Sequence, residues 1–531
     1  MSVIVPVFNP GDCITPLIDS LLGQTMPAGT CELVFVDDGS TDGTEDRLDA
    51  LARAHAHITV EHIPNSGWPG RPRNLGIELA SGEFVYFVDN DDWLGREALE
   101  RLYFAARADE ADIVIGKVVG HGKLVPRGVF VRNEHDLDVR SVPFGLLTPS
   151  KLFRREMLME HGIRFPEGRC RLEDHAFVVS AFFAARRIAI LADYACYHWI
   201  RRDDRSNASL GTADWGEYYA GVRRALDVVD AHTEPGPFRD RLTMRWYGGK
   251  TLGRLKGHFA ERSADERSAI VAEARQVVEE RFPRRLDDHL RHADRVRARL
   301  LRVGDLPGLE AMARYERGLR ATTRVKRLRG DGTWLTVDIG AHMGHTEAEP
   351  LQVVRREGRL EWSAPVELQA HLHADDLALA RALDAESSRV VLQSLDDGAE
   401  WDLDASVSIK VPGAPDGEPV RPHVQLRARI SPTIAAGGGP LPAGEYSVRA
   451  VISVLGFQSV VSVRAKQREL LTIRVTDSFR IVPSHPPEPP PPPPPPPDSL
   501  TLRARRTASR LARRVPYLPP AIRRARRTIA R

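Results

Sequence analysis

At 531 residues the chain is longer than one hydrophobic core supports, and length alone predicts three or four folding units. Its composition, 42% hydrophobic and 28% charged, is globular and excludes a collagenous or wholly disordered polymer. The net charge of +3 conceals an asymmetry: the last thirty residues are rich in arginine and hold no carboxylate side chain, so the remainder is mildly acidic. That balance argues against nucleic acid as a partner of the main body. Cys13, Cys31, Cys170 and Cys196 show neither metal-ligand spacing nor a disulfide framework, which fits a reducing compartment. The chain enters directly into a strand rather than a charged and then apolar leader, and it has no apolar run of membrane-spanning length. A cytoplasmic protein is expected.

In chain order, residues 2–7 read as a strand, followed by a turn at Pro6-Val7-Phe8-Asn9. Ile14, Leu17, Ile18, Leu21 and Leu22 then fall on one helix face. A second strand over 32–36 runs into Asp37-Asp38-Gly39-Ser40-Thr41-Asp42-Gly43, a run of turn formers. A third covers 58–63 and is followed by Asn65-Ser66-Gly67-Trp68-Pro69-Gly70-Arg71-Pro72-Arg73-Asn74. The fourth, 84–88, is a short apolar and aromatic run that ends in Asp89-Asn90-Asp91-Asp92, and the fifth covers 112–115. Alternation of this kind predicts an α/β domain, a mostly parallel sheet covered by helices on both faces. Ligands of such sheets bind at the carboxyl ends of the strands, where all these polar residues lie. Phosphate-binding glycine fingerprints are missing, so the pattern suggests a nucleotide held through base, ribose and a metal. Three carboxylates this close repel unless a cation neutralises them, and Mn²⁺ or Mg²⁺ carrying phosphate oxygens suits an all-oxygen donor set. The competing reading makes Asp91 or Asp92 a cap for the helix that begins near Arg96.

Five segments in order, Pro6-Val7-Phe8-Asn9, Val36-Asp37-Asp38-Gly39-Ser40-Thr41-Asp42, Arg73-Asn74-Leu75-Gly76-Ile77, Asp89-Asn90-Asp91-Asp92 and Leu172-Glu173-Asp174, resemble the family 2 glycosyltransferases of GT-A fold. Gly67-Trp68-Pro69-Gly70 before Arg73 is similar to the subgroup that glycosylates poly(ribitol phosphate) wall teichoic acid. The resemblance implies a UDP-sugar donor, with N-acetylglucosamine as the sugar transferred. Pro6 and Phe8 would line the uracil pocket, Asp37 or Asp38 would bind the base, and Asn65 the base or ribose. Arg73 would hold the diphosphate or donor sugar, while Asp89 and Asp91 would hold the metal. Asp174 would be the general base of an inverting transfer, with Glu173 orienting acceptor or donor sugar. His198 or Arg202 would reach the departing diphosphate. The acceptor implied is an anionic glycopolymer or glycan; a capsular or lipid-linked acceptor, or an inert polymer-binding scaffold, are the alternatives.

The rest of the chain reads as follows. Residues 117–142 lose clear alternation, where an acceptor-recognising insert would lie. Arg171-Leu172-Glu173-Asp174-His175 precedes a nearly all-apolar helix over 176–185, and a helix apolar all round is buried. Its N-terminus favours ionised Glu173 and Asp174 through the helix dipole, or uses Asp174 simply as a cap. This gives a first domain over 1–212 and a helical linker domain over 213–328. A β-sandwich follows over 329–483, with period-two alternation and Gly, Pro and Asp turns. The resemblance implies that such modules assemble a homotrimer. A proline tract, 484–498, is a semi-rigid spacer. The amphipathic arginine-rich tail, 499–531, suits peripheral contact with an anionic membrane surface.

Overall fold

The structure is a computed structural model that describes residues 1–483 except 28, 122–124, 126–127, 201–213, 347–348, 380–382, 384–386 and 466–468. Arg202, the proline tract and the basic tail therefore lie outside the described residues. The amino-terminal strands are β1 (Ser2–Val7), β2 (Glu32–Asp37), β3 (Ile58–His62), β4 (Phe84–Phe87) and β5 (Trp93–Leu94). They are followed by β6 (Ile113–His121), β7 (Glu134–Leu137), β8 (Leu152–Arg154) and β9 (Ile188–Ile200). Together they form one nine-stranded sheet in the order β3-β2-β1-β4-β8-β6-β9-β5, with β7 also on β9. Strands β1, β2, β3 and β4 are mutually parallel, and only β8 runs against its neighbours in the middle of the sheet. Every residue of β1 and β4 is buried, as an apolar strand covered on both faces requires.

Register does the positioning. Val7 pairs with Asp37 and Asp37 with His62, so the loops after three strands open on one edge of the sheet. The helices that follow are α1 (Ile14–Leu22), α2 (Thr44–Ala54), α3 (Gly70–Leu79) and α4 (Ala98–Ala108). Helices α5 (Arg155–Glu160) and α6 (Glu173–Ala184) complete this domain. Helix α3 lies directly on β1, because a Cβ on Gly76 would stand 2.3 Å from the Ile4 Cγ2. Two features depart from the sequence reading. Strand β6 continues to His121 rather than ending at 115, and a two-residue strand, β5, follows the acidic run.

Helices α7 (Trp215–His232) and α8 (Pro237–Trp246) open the helical region, which continues through Ala264–Arg281, His292–Val303 and Leu306–Gly318. Helix α7 presses on the segment before α6: a Cβ on Gly221 would sit 2.1 Å from the Arg171 carbonyl oxygen. A strand, Arg320–Gly330, begins at once after these helices, so the β region starts earlier than the expected boundary at 329. Its basic outward positions obscure the alternation. The C-terminal strands form antiparallel sheets of four, three and six strands. Val337, Ile339, Leu426, Val390, Leu392 and Val448 from two of them share the apolar core.

The β region also returns to the nine-stranded sheet. The Lys117 ammonium on β6 lies 3.3 Å from the centre of the Trp401 ring, and the Gly128 amide donates to Asp402 at 3.1 Å. A Cβ on Gly437 would meet the Ala192 carbonyl oxygen at 2.4 Å, so glycine permits this close approach at φ +68°.

Candidate active site

The centre of the site is Arg73, buried in the first turns of α3. One guanidinium nitrogen donates to Asp89 at 2.7 Å and another to Glu173 at 3.0 Å. The two acidic segments, far apart in the chain, therefore meet across one side chain. A guanidinium suits the task because its planar fork offers several donors in fixed directions. Its plane is held over the Phe165 ring at 5.2 Å, and Phe165 stacks on Phe177 of α6 at 3.8 Å. The Nε of Arg73 is buried without a protein hydrogen-bond partner.

Glu173 accepts a second hydrogen bond, 2.9 Å, from the indole of Trp68. Both carboxylate oxygens are thus occupied, which makes Glu173 a fixed bridge. The residue before it, Leu172, has φ +60°, a left-handed conformation that costs a branched side chain about 1–3 kcal/mol. Leu172 is the residue that precedes the helix, and no side chain caps it, so the cap role considered for Asp174 is not what the structure displays. Asp174 instead occupies the first turn, where its Oδ1 accepts from the His175 amide at 2.9 Å. Burial, reinforced by the adjacent Glu173 charge, lifts the Asp174 carboxyl to about 7, while Lys250 and Arg73 pull in the other direction. A carboxyl poised there can exchange a proton near neutral pH.

Lys250 comes from the turn after α8, and burial together with Arg245 brings its ammonium down to about 8. Lys151 also feels Asp174, and burial lowers it to about 7. Trp246 donates through its indole to His175 Nδ1 at 3.0 Å, which leaves the imidazole proton on Nε2. The helical region therefore supplies groups around Asp174. Phe165, Lys151, Trp246 and Lys250 were absent from the sequence reading, and Trp68 was named there without a role. Only Trp68, inside the Gly67-Trp68-Pro69-Gly70 motif, carried a signal there.

The strand-end loops hold the remaining candidates. Asp37 is buried and accepts from His62 at 2.9 Å and from the Ser40 amide at 3.1 Å. Asp38, also buried, accepts from the Ser66 amide at 2.8 Å and the Ser66 hydroxyl at 2.9 Å. Burial raises its proton affinity despite these bonds. Asn65 donates to the Asp38 carbonyl at 2.9 Å, so both loops lock together; Gly39, at φ +76°, lets Asn65 approach. Pro6 is buried at the end of β1 and Phe8 is 48% exposed beside these loops.

Within the acidic run the three carboxylates divide. Asp92 is buried, accepting from the Tyr197 hydroxyl at 2.6 Å and the Ile200 amide at 2.7 Å; burial and then Asp91 and Asp89 push its carboxyl well above the ordinary range. Asp89 keeps 40% of its side chain exposed beside Arg73, and Asp91 is half-buried. Neither Asp91 nor Asp92 caps α4, whose preceding residue is Glu97. Asp89 and Asp91 offer carboxylate oxygens of the kind that fit Mn²⁺ or Mg²⁺. Among the described residues no group of three or more His, Cys, Asp or Glu makes a ready cage.

His198 is not brought to this cluster. It lies on β9 next to Tyr197, and successive strand side chains point to opposite faces, so Tyr197 turns to the aspartates and His198 away from them. His198 stacks on Trp93 with centroids 5.3 Å apart and shares a 2.9 Å hydrogen bond with His121. Burial, then the His121 charge, lowers it to about 4.

The profile for glycosyl transferase family 2 matches residues 2–194, and that for the glycosyl transferase TarS linker domain matches 216–313. The poly(ribitol-phosphate) beta-glucosyltransferase of Bacillus spizizenii is 31% identical over 324 residues, which is 60% of this chain and 51% of that protein. The poly(ribitol-phosphate) beta-N-acetylglucosaminyltransferase TarS of Staphylococcus aureus is 35% identical over 240 residues, 44% of this chain and 41% of that protein. The chain thus spans about half the length of these curated relatives. The crystal structure of S. aureus TarS 1–349 in complex with UDP-GlcNAc superposes with a TM-score of 0.54 at 26% identity, covering 66% of this chain and 97% of that one. The chain thus carries a glycosyl transferase family 2 domain at 2–194, followed by a TarS-type linker domain at 216–313.

Proposed function

We propose that the chain is an inverting glycosyltransferase that moves a sugar from a UDP-sugar to a hydroxyl of a poly(ribitol phosphate)-type cell-envelope polymer. The observation that supports this reading is the Arg73 bridge, 2.7 Å to Asp89 and 3.0 Å to Glu173, which ties the strand-end acidic run to the residue before Asp174. The relatives named for that polymer and the UDP-GlcNAc complex of TarS support donor and acceptor class. Their names divide between glucose and N-acetylglucosamine, so both are candidate sugars.

In this reading Pro6, Phe8, Asp38 and Asn65 flank the uridine. Arg73 keeps Asp89 oriented, and Asp89 with Asp91 would hold a divalent cation, whose chemistry is to offset charge on the departing diphosphate. Glu173 is fixed by Trp68 and Arg73 and positions the sugar. Asp174 takes the proton of the acceptor hydroxyl as its oxygen forms a bond to the anomeric carbon. The bond from that carbon to the UDP oxygen breaks with its electron pair leaving on UDP. Lys250, on the linker side, favours the ionised form of Asp174 that the step requires.

UDP release by purified protein, with UDP-glucose or UDP-N-acetylglucosamine, poly(ribitol phosphate) and Mn²⁺, tests the reading. Acceptor-dependent release with one donor is expected. Release with neither, alongside intact folding, would falsify it.

A further inference from the structure

The outer face of the four-stranded C-terminal sheet is basic to a degree that nothing in the catalytic cleft requires. Its first strand, Arg320–Gly330, reads RATTRVKRLRG, five cations and no carboxylate, with Arg324 and Lys326 exposed. The alternation of Leu335–Gly344 and His423–Ile430 turns Val337, Ile339, Val424 and Leu426 inward. His342 and His423 lie half-buried on the opposite side. Those two imidazoles are cross-strand neighbours, 3.2 Å apart from Nδ1 of His423 to Nε2 of His342. The Lys326 side chain lies across Gly340 beside them: a Cβ on Gly340 would stand 2.5 Å from the Lys326 Cε and 3.1 Å from the His423 ring. Lys410, exposed on Ala405–Lys410, is the direct pair of His423. Burial and then this ring of neighbours, His342, Lys326 and Lys410, hold His423 below its ordinary value. Asp338 is the carboxylate that this face carries on its second strand, and Arg427 engages both of its oxygens at 2.5 and 3.3 Å. Like charges gathered this closely repel, and an anion that neutralises them is bound more strongly for it.

We infer that this sheet face, centred on Lys326, His342, Lys410 and His423, is a second, non-catalytic binding track for a phosphodiester-linked polyol polymer. The inference rests on the proposed acceptor class and extends it: the cleft modifies one repeat while the C-terminal face holds others. Charge complementarity selects the occupant, since a phosphodiester polymer presents one anion per repeat. Two-residue spacing along a strand, roughly 6.5–7 Å, and neighbouring strands about 4.8 Å apart offer it a lattice of cations. A retained polymer raises the effective concentration of its other hydroxyls at the cleft without any new contact there.

The test uses the full chain and the double charge reversal Lys326→Glu/Lys410→Glu, with Lys326→Gln/Lys410→Gln as the milder form. Retention of soluble poly(ribitol phosphate), without donor, is measured against salt, and transfer to a single ribitol phosphate unit is measured in parallel. Polymer affinity is expected to fall at least tenfold and its logarithmic salt slope to shrink by about 1.4, using roughly 0.7 per cation on a single-stranded polyanion. Transfer to the single unit should stay unchanged, because no residue of the cleft is altered. Unaltered polymer affinity overturns the proposal. So does a variant that loses anionic vesicles but keeps the polymer, or one whose defect is a changed oligomeric state in analytical ultracentrifugation. If the wild type transfers nothing to the single unit yet its polymer retention still depends on both lysines, the acceptor reading of the cleft fails and this one stands.

Discussion

Asp174 has two properties that pull against each other: a half-buried carboxylate is costly, and a base has to be ionised to work. Burial and Glu173 raise it to about 7, so the fraction able to accept a proton increases as pH rises through that value. If Asp174 is the base, kcat/KM for the acceptor climbs with pH to a plateau above about 7, and Asp174→Asn removes roughly 10²–10⁴ of the rate. Stability moves the other way. Between the unfolded carboxyl value near 4 and about 7 the folded chain keeps a proton that the unfolded chain releases, so stability declines with rising pH across that window. Asp174→Asn is therefore expected to melt above the wild type at pH 8 and level with it at pH 4, read by calorimetry. A variant that melts lower at pH 8 would mean the carboxylate is structural. Arg73, Asp89, Glu173 and Asp174 were legible in the sequence because each sits in a short motif at a strand or helix end. Lys151 and Lys250 were not, since their approach to Asp174 depends on how β8 and the α8 turn pack, which no local pattern encodes. His198 shows the limit of motif position: the one-residue alternation of β9 gave the aspartates Tyr197 instead.

Helix α3 delivers Arg73, and its seat on β1 is set by Gly76. A Cβ there would stand 2.3 Å from the Ile4 Cγ2, in a fully buried contact. Alanine would return about 0.8–1 kcal/mol of helix propensity. Overpacking of a tight core costs about 1–3 kcal/mol, so the clash prevails. Gly76→Ala should lower the denaturation midpoint and, by tilting α3, weaken donor binding as well. Adding Ile4→Ala, which removes the struck methyl, should make the double variant less destabilised than the sum of the singles; a strictly additive cycle in urea unfolding would show that the helix does not bear on Ile4. At this scale the sequence was readable where periodicity was pure. The buried parallel strands β1, β2 and β4 and the apolar α6 announced themselves. The strand Arg320–Gly330 did not, because arginine and lysine occupy its outward positions and alanine and threonine several inward ones, muting the contrast on which period-two reading depends. Strand β6 beyond 115 was obscured differently: Lys117 and Gly120 interrupt an apolar run whose partners are supplied by β9 and the C-terminal sheets.

Across the molecule, Lys117 stands where the nine-stranded sheet meets the C-terminal sheets. Its ammonium faces the Trp401 ring at 3.3 Å, and a cavity of about 30 Å³ lined by Lys117, Phe130, Glu400 and Asp402 adjoins it, room for about one water. Two effects compete. A desolvated cation over an indole gains about 2 kcal/mol or more. Burying the charge costs more, for burial brings Lys117 down to about 7 even though Asp402 and Asp193 favour its charged form. The folded chain then holds fewer protons than the unfolded chain between pH 7 and the ordinary lysine value near 10.4, so stability rises with pH over that window. Lys117→Met keeps the length of the side chain, retains a sulfur–ring contact worth about 0.3–1.5 kcal/mol and removes the charge. It is expected to stabilise the junction by on the order of 1–4 kcal/mol at pH 7, as replacement of buried ionic groups by apolar ones does, with the advantage narrowing toward pH 10. The measurement is chemical unfolding of both chains at pH 7 and pH 10. A methionine variant that is weaker at pH 7, by an amount that does not change with pH, would mean the cation over Trp401 is what clasps the two sheets together.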